Sequence, residues 1–413
     1  MNRRDFLRRL MTVPLASGAF LYGDPLRFNL RAAPASGKTL IVIFQRGGCD
    51  GLNTVVPYGD AEYYNLRPGI AVPPPGPDGA LNLDGFFGLH PSLVGLHNIY
   101  LDGALAVLPA VHYAGAPLSH FDSQYLVESG TPLGSTDGWL NRHLANQSSE
   151  AQLRAAAFSA GVPHAFAGQI SVPTFSNLEI LGLHGESEAS LEDFSARLRA
   201  VYSQQTLVSD TNRSVLHASG LNMLDNIDLL SAIDSIGYQP ANGAIYPNDS
   251  FSQQLQQTAQ LIKEGIGLEL VTVDLSGWDT HSDQGGAEPE GTQSQKHAIF
   301  ANGIQALYTD LGSQMDDVII LTMTEFGRTV KENASGGTDH GKASAWFVIG
   351  GRVNGGIYGD WPGLSPEQLS QGRYLQQSTD FRDVMAEVAT GHLENSNLAA
   401  VLPGHVYTPL GFL

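Results

Sequence analysis

The chain has 413 residues, a formal charge of −19 and 42% apolar residues. Nucleic acid and anionic lipid surfaces repel a chain this acidic, so the charge excludes a nucleic-acid-binding protein. The apolar content is enough for a large core. Cys49 is the only cysteine, so no intrachain disulfide can form, and the core, helped by any bound metal, must hold the fold together.

The N-terminus has the layout of a targeting signal. Arg3 and Arg4 come ahead of a mildly apolar stretch over residues 10–22. This order is typical of the twin-arginine route, which exports bacterial proteins already folded. The stretch is shorter than the ~20 residues that span a bilayer, and no later run approaches that length. We therefore predict a signal peptide over residues 1–36 and a periplasmic or secreted protein. An ordinary basic N-terminus is the alternative.

Apolar, β-branched runs predict the strands of a buried sheet, and apolar residues at helical spacing predict helices between the strands. The predicted strands are residues 38–45, 104–111, 268–275, 318–323 and 345–349, and the predicted helices are 121–129 and 297–311. Residues 186–265 have helical spacing throughout and are predicted to form a helical cap or insertion. The pattern favours one α/β domain over residues 37–413, a three-layer α/β/α sandwich with a mostly parallel central sheet.

Side chains that can bind a metal or an anion flank each predicted strand. Sites in open α/β sheets form outside the carboxyl ends of the strands, so we expect distant segments to meet there. Asp, Glu and His are common metal ligands in proteins. Asp279 and His281 are a strong pair, because alternate side chains of an extended tripeptide share a face. The candidate metal ligands are Asp50, Asp279, His281, Glu325 and His340.

Three of these candidates have alternative interpretations. Asp50 is equally well placed as a turn or helix-capping residue. Glu325 can be a ligand, a general base or an ion-pair partner of Arg328. His340 can be a hydrogen-bonded structural histidine, and Asp339 beside it can orient a ligand histidine without binding metal itself.

Five motifs resemble a known family. They are Arg-Gly-Gly-Cys-Asp-Gly-Leu-Asn at 46–53, Ser-His-Phe-Asp at 119–122, Trp-Asp-Thr-His at 278–281, Thr-Glu-Phe-Gly-Arg-Thr at 324–329 and Asp-His-Gly at 339–341. With the twin-arginine start, the set resembles the bacterial family of unknown function called DUF1501, over about residues 40–358. That family is similar to the alkaline phosphatase-like superfamily, which includes phosphatases, sulfatases and phosphoglycerate mutases. The resemblance implies a three-layer α/β/α sheet, a bimetal centre and an activated nucleophile at a helix start.

The resemblance also implies roles for single residues. The ligands of two metal sites would be Asp279, His281 and His340 for the first, and Asp50 and Glu325 for the second. The superfamily places its nucleophile about ten residues before a glycine that ends a helix, and here that position is His120, with Ser119 beside it. Either Ser119 attacks, or His120 attacks, or the covalent step is absent.

These features predict a periplasmic metal-dependent hydrolase of phosphate or sulfate esters, including saccharide-linked ones. The metal would be a divalent ion: zinc, manganese, magnesium or calcium. Arg46 and Arg328 can hold the nonbridging oxygens of the anion through bidentate hydrogen bonds. Two alternatives stay open. One is a cell-envelope binding or assembly protein with little or no catalysis, and the other is a metal-dependent transferase acting on cell-surface saccharides.

Overall fold

A mostly parallel β-sheet is the centre of the fold. The computed structural model describes residues 37–149, 151, 153–178, 188–203, 211–234 and 237–413, so the predicted signal peptide lies outside the described residues. The strands are β1 (Thr39–Arg46), β2 (Val55–Val56), β3 (Leu81–Asn82), β4 (Gly88–Leu89), β5 (Leu105–His112), β6 (Ala155–Phe158), β7 (Thr174–Phe175), β8 (Leu270–Ser276), β9 (Val318–Met323), β10 (Ser344–Ile349), β11 (Gly356–Ile357) and β12 (Thr379–Asp380).

Nine of these strands form one sheet over the described residues, in the order β11-β5-β10-β9-β1-β8-β6-β7 with β12 beside β5, and β2-β4-β3 form a small second sheet. The five strands predicted from apolar runs are all present, each within two residues of its predicted ends. β1 pairs in parallel with both β8 and β9. Residues 39–45 of β1 are all buried, as expected for a central strand with layers on both faces.

β10 runs antiparallel to its two neighbours, β9 and β5. The connection between β9 and β10, residues 324–343, contains no helix, whereas the crossover between two parallel neighbours is usually helical. The chain instead turns at the edge of the sheet and comes straight back. As a result, the start of β10 lies at the same edge as the ends of β1, β5, β8 and β9.

Helices cover both faces of this sheet. They are α1 (Gly51–Thr54), α2 (Ala61–Leu66), α3 (Val94–Leu101), α4 (His120–Ser129), α5 (Trp139–Asn146), α6 (Glu188–Tyr202), α7 (Thr211–Asp234), α8 (Ser250–Lys263), α9 (Thr292–Leu311), α10 (Phe381–Glu387) and α11 (Leu398–Val401). Ile41 and Ile43 of β1 pack into one core with α3, α8 and α9, whereas Leu40 and Val42 pack into a second core with α5 and α10. The predicted three-layer sandwich is confirmed.

The predicted cap, residues 186–265, is helical in α6, α7 and α8. α8 belongs to the layer that covers the sheet, because Phe251 and Leu255 are fully buried in the core beside α9. Ile233, near the end of α7, joins the same core. The cap and the boundaries of the domain stay predictions. None of the helices in the described part of the chain is long and apolar enough to cross a membrane.

Buried histidines give the first testable prediction. Burial lowers the pKa of His90 and His392 to about 4 and that of His112 to about 3, against about 6.5 in an unfolded chain. Below pH 6.5 the unfolded chain therefore binds protons that the folded chain does not. We expect the free energy of unfolding to fall as the pH drops from 6.5 to 5, a window above the usual carboxyl pKa values.

His392→Gln isolates one of these groups, because a glutamine amide can still donate to the Thr39 carbonyl that His392 contacts at 2.9 Å. Urea unfolding at several pH values gives the free energy of unfolding as a function of pH. For the variant, this free energy should change less steeply with pH than for the parent chain, by up to about 1.4 kcal/mol per pH unit. His97→Gln, which changes a histidine outside the core, is the control. An unaltered slope in the His392 variant would contradict the assignment.

Candidate metal centre

The common edge of the sheet brings together side chains that are far apart in sequence. β1, β5, β8 and β9 end there, and antiparallel β10 begins there. The side chains that meet at this edge are His120, Asp279, His281, Glu325 and His340. All five were candidates from the sequence, four as metal ligands and His120 as nucleophile.

His120, Asp279 and His340 form the cluster best suited to a metal. One ligand atom from each lies within 4.8 Å of the others. Asp279 Oδ1 is 3.4 Å from His120 Nε2 and 3.4 Å from His340 Nε2. His281 lies beside this set, with its Nε2 3.1 Å from Asp279 Oδ1 and 3.1 Å from His340 Nε2.

The protons on these histidines are fixed by their other ring nitrogens. His340 Nδ1 donates to the Leu118 carbonyl oxygen at 2.8 Å. His120 Nδ1 donates to Glu325 Oε1 at 2.8 Å. Because neither oxygen can donate, each neutral ring keeps a lone pair on Nε2, the atom that faces Asp279. Metal-binding histidines commonly show this arrangement, with a carboxylate or carbonyl oxygen holding the far nitrogen.

The buried donor atoms fit a cation. His120 Nε2 is buried and has no hydrogen-bond partner among the described residues. The Nε2 atoms of His281 and His340 are 3.1 Å apart, a separation that a hydrogen bond from one ring to the other also gives. Ligand atoms about 2.0–2.1 Å from a tetrahedral zinc are ~3.3 Å from one another, close to these separations. Imidazole-rich donor sets suit zinc better than magnesium or calcium.

Glu325 orients His120, and the structure gives it no place in the cluster of three. Its carboxylate is fully buried. Oε1 accepts from His120 Nδ1, from Gln124 Nε2 at 2.9 Å and from the Gly47 amide at 2.9 Å. Burial alone would raise the pKa of this carboxyl, but the hydrogen bonds outweigh burial and the pKa lies below its usual value. The same bond from Glu325 raises the pKa of His120.

Helix α4 presents His120 at its first turn. Ser119 is the N-cap residue with extended backbone, although its side chain makes no capping bond within the described residues, and Gly130 ends the helix at φ 64°. His120 and Gln124 are four residues apart, so both point to Glu325 from one face. Gln124 is not among the residues predicted from the sequence, although its helical spacing from His120 indicates it.

Arg46 contacts side chains of the protein itself, whereas the sequence predicted a contact with the anionic substrate. Its guanidinium contacts Glu128 Oε1 at 3.0 Å, Asp274 Oδ2 at 2.9 Å and Gln124 Oε1 at 3.2 Å. Burial alone would lower the pKa of Arg46, but the two carboxylates raise it above its usual value. Arg46 therefore fixes Gln124, which in turn fixes Glu325. These contacts favour a supporting role for Arg46, and its predicted contact with an anion stays a prediction.

Asp50 also departs from its predicted role. It caps α1 by accepting from the Leu52 amide, and its oxygens take both guanidinium nitrogens of Arg67 at 2.5 and 2.9 Å and the Gln284 amide at 2.6 Å. These bonds occupy the lone-pair positions of the carboxylate. The capping interpretation of the sequence thus describes Asp50 better than metal binding. Glu325 is likewise hydrogen-bonded to protein groups, and the second metal site at Asp50 and Glu325 stays a prediction.

Arg328 lies against the cluster, as a partner of Asp279. Its Nη2 donates to Asp279 Oδ1 at 2.5 Å and to the Trp278 carbonyl at 3.2 Å. Burial alone would raise the pKa of Asp279, but Arg328 and the histidines lower it. The other two guanidinium nitrogens, Nε and Nη1, are buried without a partner among the described residues. Arg328 therefore has two buried nitrogens whose hydrogen-bonding capacity is unused, in a side chain that is 0% exposed.

Asp339 has the orienting contact that the sequence suggested. Its Oδ1 lies 3.3 Å from His281 Nδ1, and Oδ2 accepts from Arg373 at 3.1 Å. Burial alone would raise the pKa of this carboxyl, but Asn333, His281 and Arg373 lower it. His281 and Asp279 are the exposed side chains here, at 47% and 44%, whereas His120 and His340 are 23% and 24% exposed.

Comparisons with known proteins agree with the predicted resemblance. The family described as "Protein of unknown function (DUF1501)" matches residues 186–401, a range that holds the last three of the five motifs. The predicted family is confirmed. No curated protein matches the chain.

Solved structures give distant likenesses. The phosphonate monoester hydrolase of Agrobacterium radiobacter is 12% identical with a TM-score of 0.36, over 91% of this chain and 79% of that one. The lipoteichoic acid synthase LtaP from Listeria monocytogenes is 10% identical with a TM-score of 0.36, over 92% and 74%. The sulfatase PsFucS1 from Pseudoalteromonas sp. is 9% identical with a TM-score of 0.36, over 86% and 68%. Likenesses this distant say nothing of activity.

The cluster predicts which histidines bind metal. His120→Ala and His340→Ala each remove one of the three ligand atoms. We expect zinc affinity to drop by more than the roughly 10–100-fold that loss of an outer hydrogen-bond partner costs. Competition with a chromophoric chelator measures this affinity, and His97→Ala is the control. Wild-type zinc affinity in both cluster variants would rule out the site.

Proposed function

The chain belongs to the DUF1501 family, and from this premise we propose that it is an exported, metal-dependent hydrolase of phosphate or sulfate esters. One observation supports the proposal above others: imidazole nitrogens with free lone pairs converge on Asp279 beside a buried arginine that has unpartnered donors. That combination suits a cation and an anion side by side. The twin-arginine start supports export.

The residues that would hold the metal are His120, Asp279 and His340. A bound metal ion would polarise an ester oxygen and lower the pKa of bound water. Glu325 holds His120 in one tautomer, and the Leu118 carbonyl does the same for His340. Water is the expected nucleophile, because His120 Nε2 is directed at the metal position. Ser119 has no hydrogen bond to a base among the described residues.

His281 is placed to move the proton that the leaving group needs. Its Nδ1 lies against Asp339, and its Nε2 is at the margin of the cluster on the solvent side. An imidazole oriented by a carboxylate can donate from Nε2 to the departing alkoxide oxygen and recover a proton from water. This role is an alternative to the ligand role that the sequence predicted, and it is supported by the contact with Asp339 and by the 47% exposure of the His281 side chain.

The anionic part of the substrate would be held by Arg328. Its Nε and Nη1 have no partner in the described chain, and Nη2 already fixes Asp279. A planar guanidinium with free donors suits the nonbridging oxygens of phosphate or sulfate. Such a site would concentrate positive charge at one point of a chain whose formal charge is −19, so an anion would be attracted there and repelled elsewhere.

A metal-containing binding protein of the cell envelope is the second candidate. It is favoured by the occupied carboxylates of Asp50 and Glu325, which leave one predicted metal site in place of two. It is also favoured by the lack of a base at Ser119 within the described residues. Such a protein would bind anionic esters at the same edge without hydrolysing them.

Leaving-group dependence tests the proposed hydrolase. Zinc-loaded protein should hydrolyse aryl and alkyl esters of phosphate or sulfate. His281→Gln should lower kcat for the alkyl ester by about 10²–10⁴-fold, because alkoxide needs a proton to depart, and should lower kcat for the p-nitrophenyl ester much less. Steady-state kinetics give the ratio of wild-type kcat to variant kcat for the alkyl ester and for the p-nitrophenyl ester, with phosphate and with sulfate. Zinc content is determined on the same samples.

Other outcomes would change the role assigned to His281 or the proposed function. If His281→Gln loses its zinc, His281 is a ligand as the sequence predicted. If wild-type protein binds zinc and retains esters without turnover across the panel, the binding protein replaces the hydrolase. His97→Gln is the control for changes that any histidine substitution would cause.

A further inference from the structure

Gln284 joins the two loops that carry the candidate metal ligands. Its carboxamide is fully buried. Oε1 accepts from Thr280 Oγ1 at 2.9 Å and from Thr338 Oγ1 at 2.7 Å. Nε2 donates to Asp50 Oδ2 at 2.6 Å. One side chain therefore contacts three separate segments of the chain.

Chemistry fixes the orientation of this amide. The ionised carboxylate of Asp50 can only accept, so the nitrogen of Gln284 must face it. The oxygen of Gln284 must then face the two threonines, whose hydroxyls donate. The amide cannot turn over without placing oxygen against oxygen at Asp50. Gln284 therefore bridges Asp50 and the two threonines in one orientation of its amide.

The two threonines lie within the ligand loops. Thr280 stands between Asp279 and His281, and Thr338 is two residues before His340. The loops also meet directly: the Thr338 amide donates to the Thr280 carbonyl at 3.1 Å. Gly337 packs so closely that an added Cβ would lie 2.5 Å from the His281 carbonyl carbon. The separation of these loops sets the distance between Asp279 and His340.

The far end of the bridge is anchored in the core. Arg67, fully buried, holds Asp50 and also donates to the carbonyls of Thr329 and Val330 at 2.9 Å each. Those carbonyls belong to the segment that carries Arg328. Asp50 is thus fixed relative to the sheet edge, and Gln284 transmits that fixed position to both ligand loops.

We propose that Gln284 is a positioning residue that sets the separation of the Asp279 and His340 loops and so the metal affinity of the cluster. This inference rests on the metal centre of the proposed function. The Gln284 side chain makes no hydrogen bond to His120, Asp279 or His340; among the residues predicted as ligands it contacts Asp50 alone in the described chain. Its effect passes through Thr280 and Thr338.

Matched glutamine variants test the proposal. Gln284→Met keeps the volume and removes all three bonds. Gln293→Met is the control, because Gln293 is also buried and also binds Asp50, at the backbone carbonyl at 3.2 Å, without a side-chain bond to either ligand loop. We expect Gln284→Met to weaken zinc binding about 10–100-fold and to change the visible spectrum of the cobalt-substituted protein. Gln293→Met should leave both near wild type.

A milder variant covers the case in which Gln284→Met does not fold. Thr338→Val removes one of the two hydroxyl bonds and should weaken zinc binding by a smaller factor. Thermal unfolding of each variant shows that it is folded. Equal zinc affinity in wild type, Gln284→Met and Thr338→Val would overturn the proposal, as would an equal loss in Gln284→Met and Gln293→Met.

Amide hydrogen exchange separates this inference from the proposed function. Without metal, the amides of residues 279–284 and 336–341 should exchange faster in Gln284→Met than in Gln293→Met. If wild-type protein binds no zinc or cobalt, the metal centre fails, and the exchange comparison still decides whether Gln284 holds the loops. Equal exchange in the two variants overturns the positioning role.

Discussion

The buried ion pair between Asp50 and Arg67 is the constraint on which the candidate site depends. Both side chains are almost wholly removed from water, at 1% and 0% exposure. A buried pair is tolerated only when hydrogen bonds satisfy its remaining atoms, and removing one partner typically costs about 3–5 kcal/mol. Here Gln284, the Leu52 amide and two backbone carbonyls supply those bonds. The pair therefore ties the end of β1 to the loops after β8 and β9.

The reversal of β10 is the second condition for the site. Had β10 run parallel to β9, its first residues would lie at the opposite edge of the sheet, and His340 with them. Because residues 324–343 return along the same edge, His340 comes within 3.4 Å of Asp279. Topology thus supplies one candidate ligand and the loop after β8 supplies another. The third candidate, His120, comes from the start of α4, which follows β5.

The position of the candidate site at the sheet edge could be predicted from the sequence, but not every contact of its side chains could. Apolar runs predicted the five main strands, because a strand buried on both faces must be apolar along its length. Asp279 and His340 were predicted ligands and do converge, because both lie directly beside strand ends. Asp50 and Glu325 lie at the same edge, yet their nearest partners are Arg67 and His120. No local pattern indicates that a loop arginine will turn inward against Asp50, since that depends on tertiary packing.

Charge balance at the edge explains why one cation suits it. Asp279, Asp339 and Glu325 have lowered pKa values and are ionised near neutral pH. Arg328 and Arg373 offset the first two, which leaves the Glu325 charge facing His120. A proton on His120 can balance it, as the raised pKa of His120 shows. A divalent ion at Nε2 would displace that proton, since metal ligands must be deprotonated. A divalent ion brings more positive charge to the edge than the proton it displaces, which suits an anionic ester.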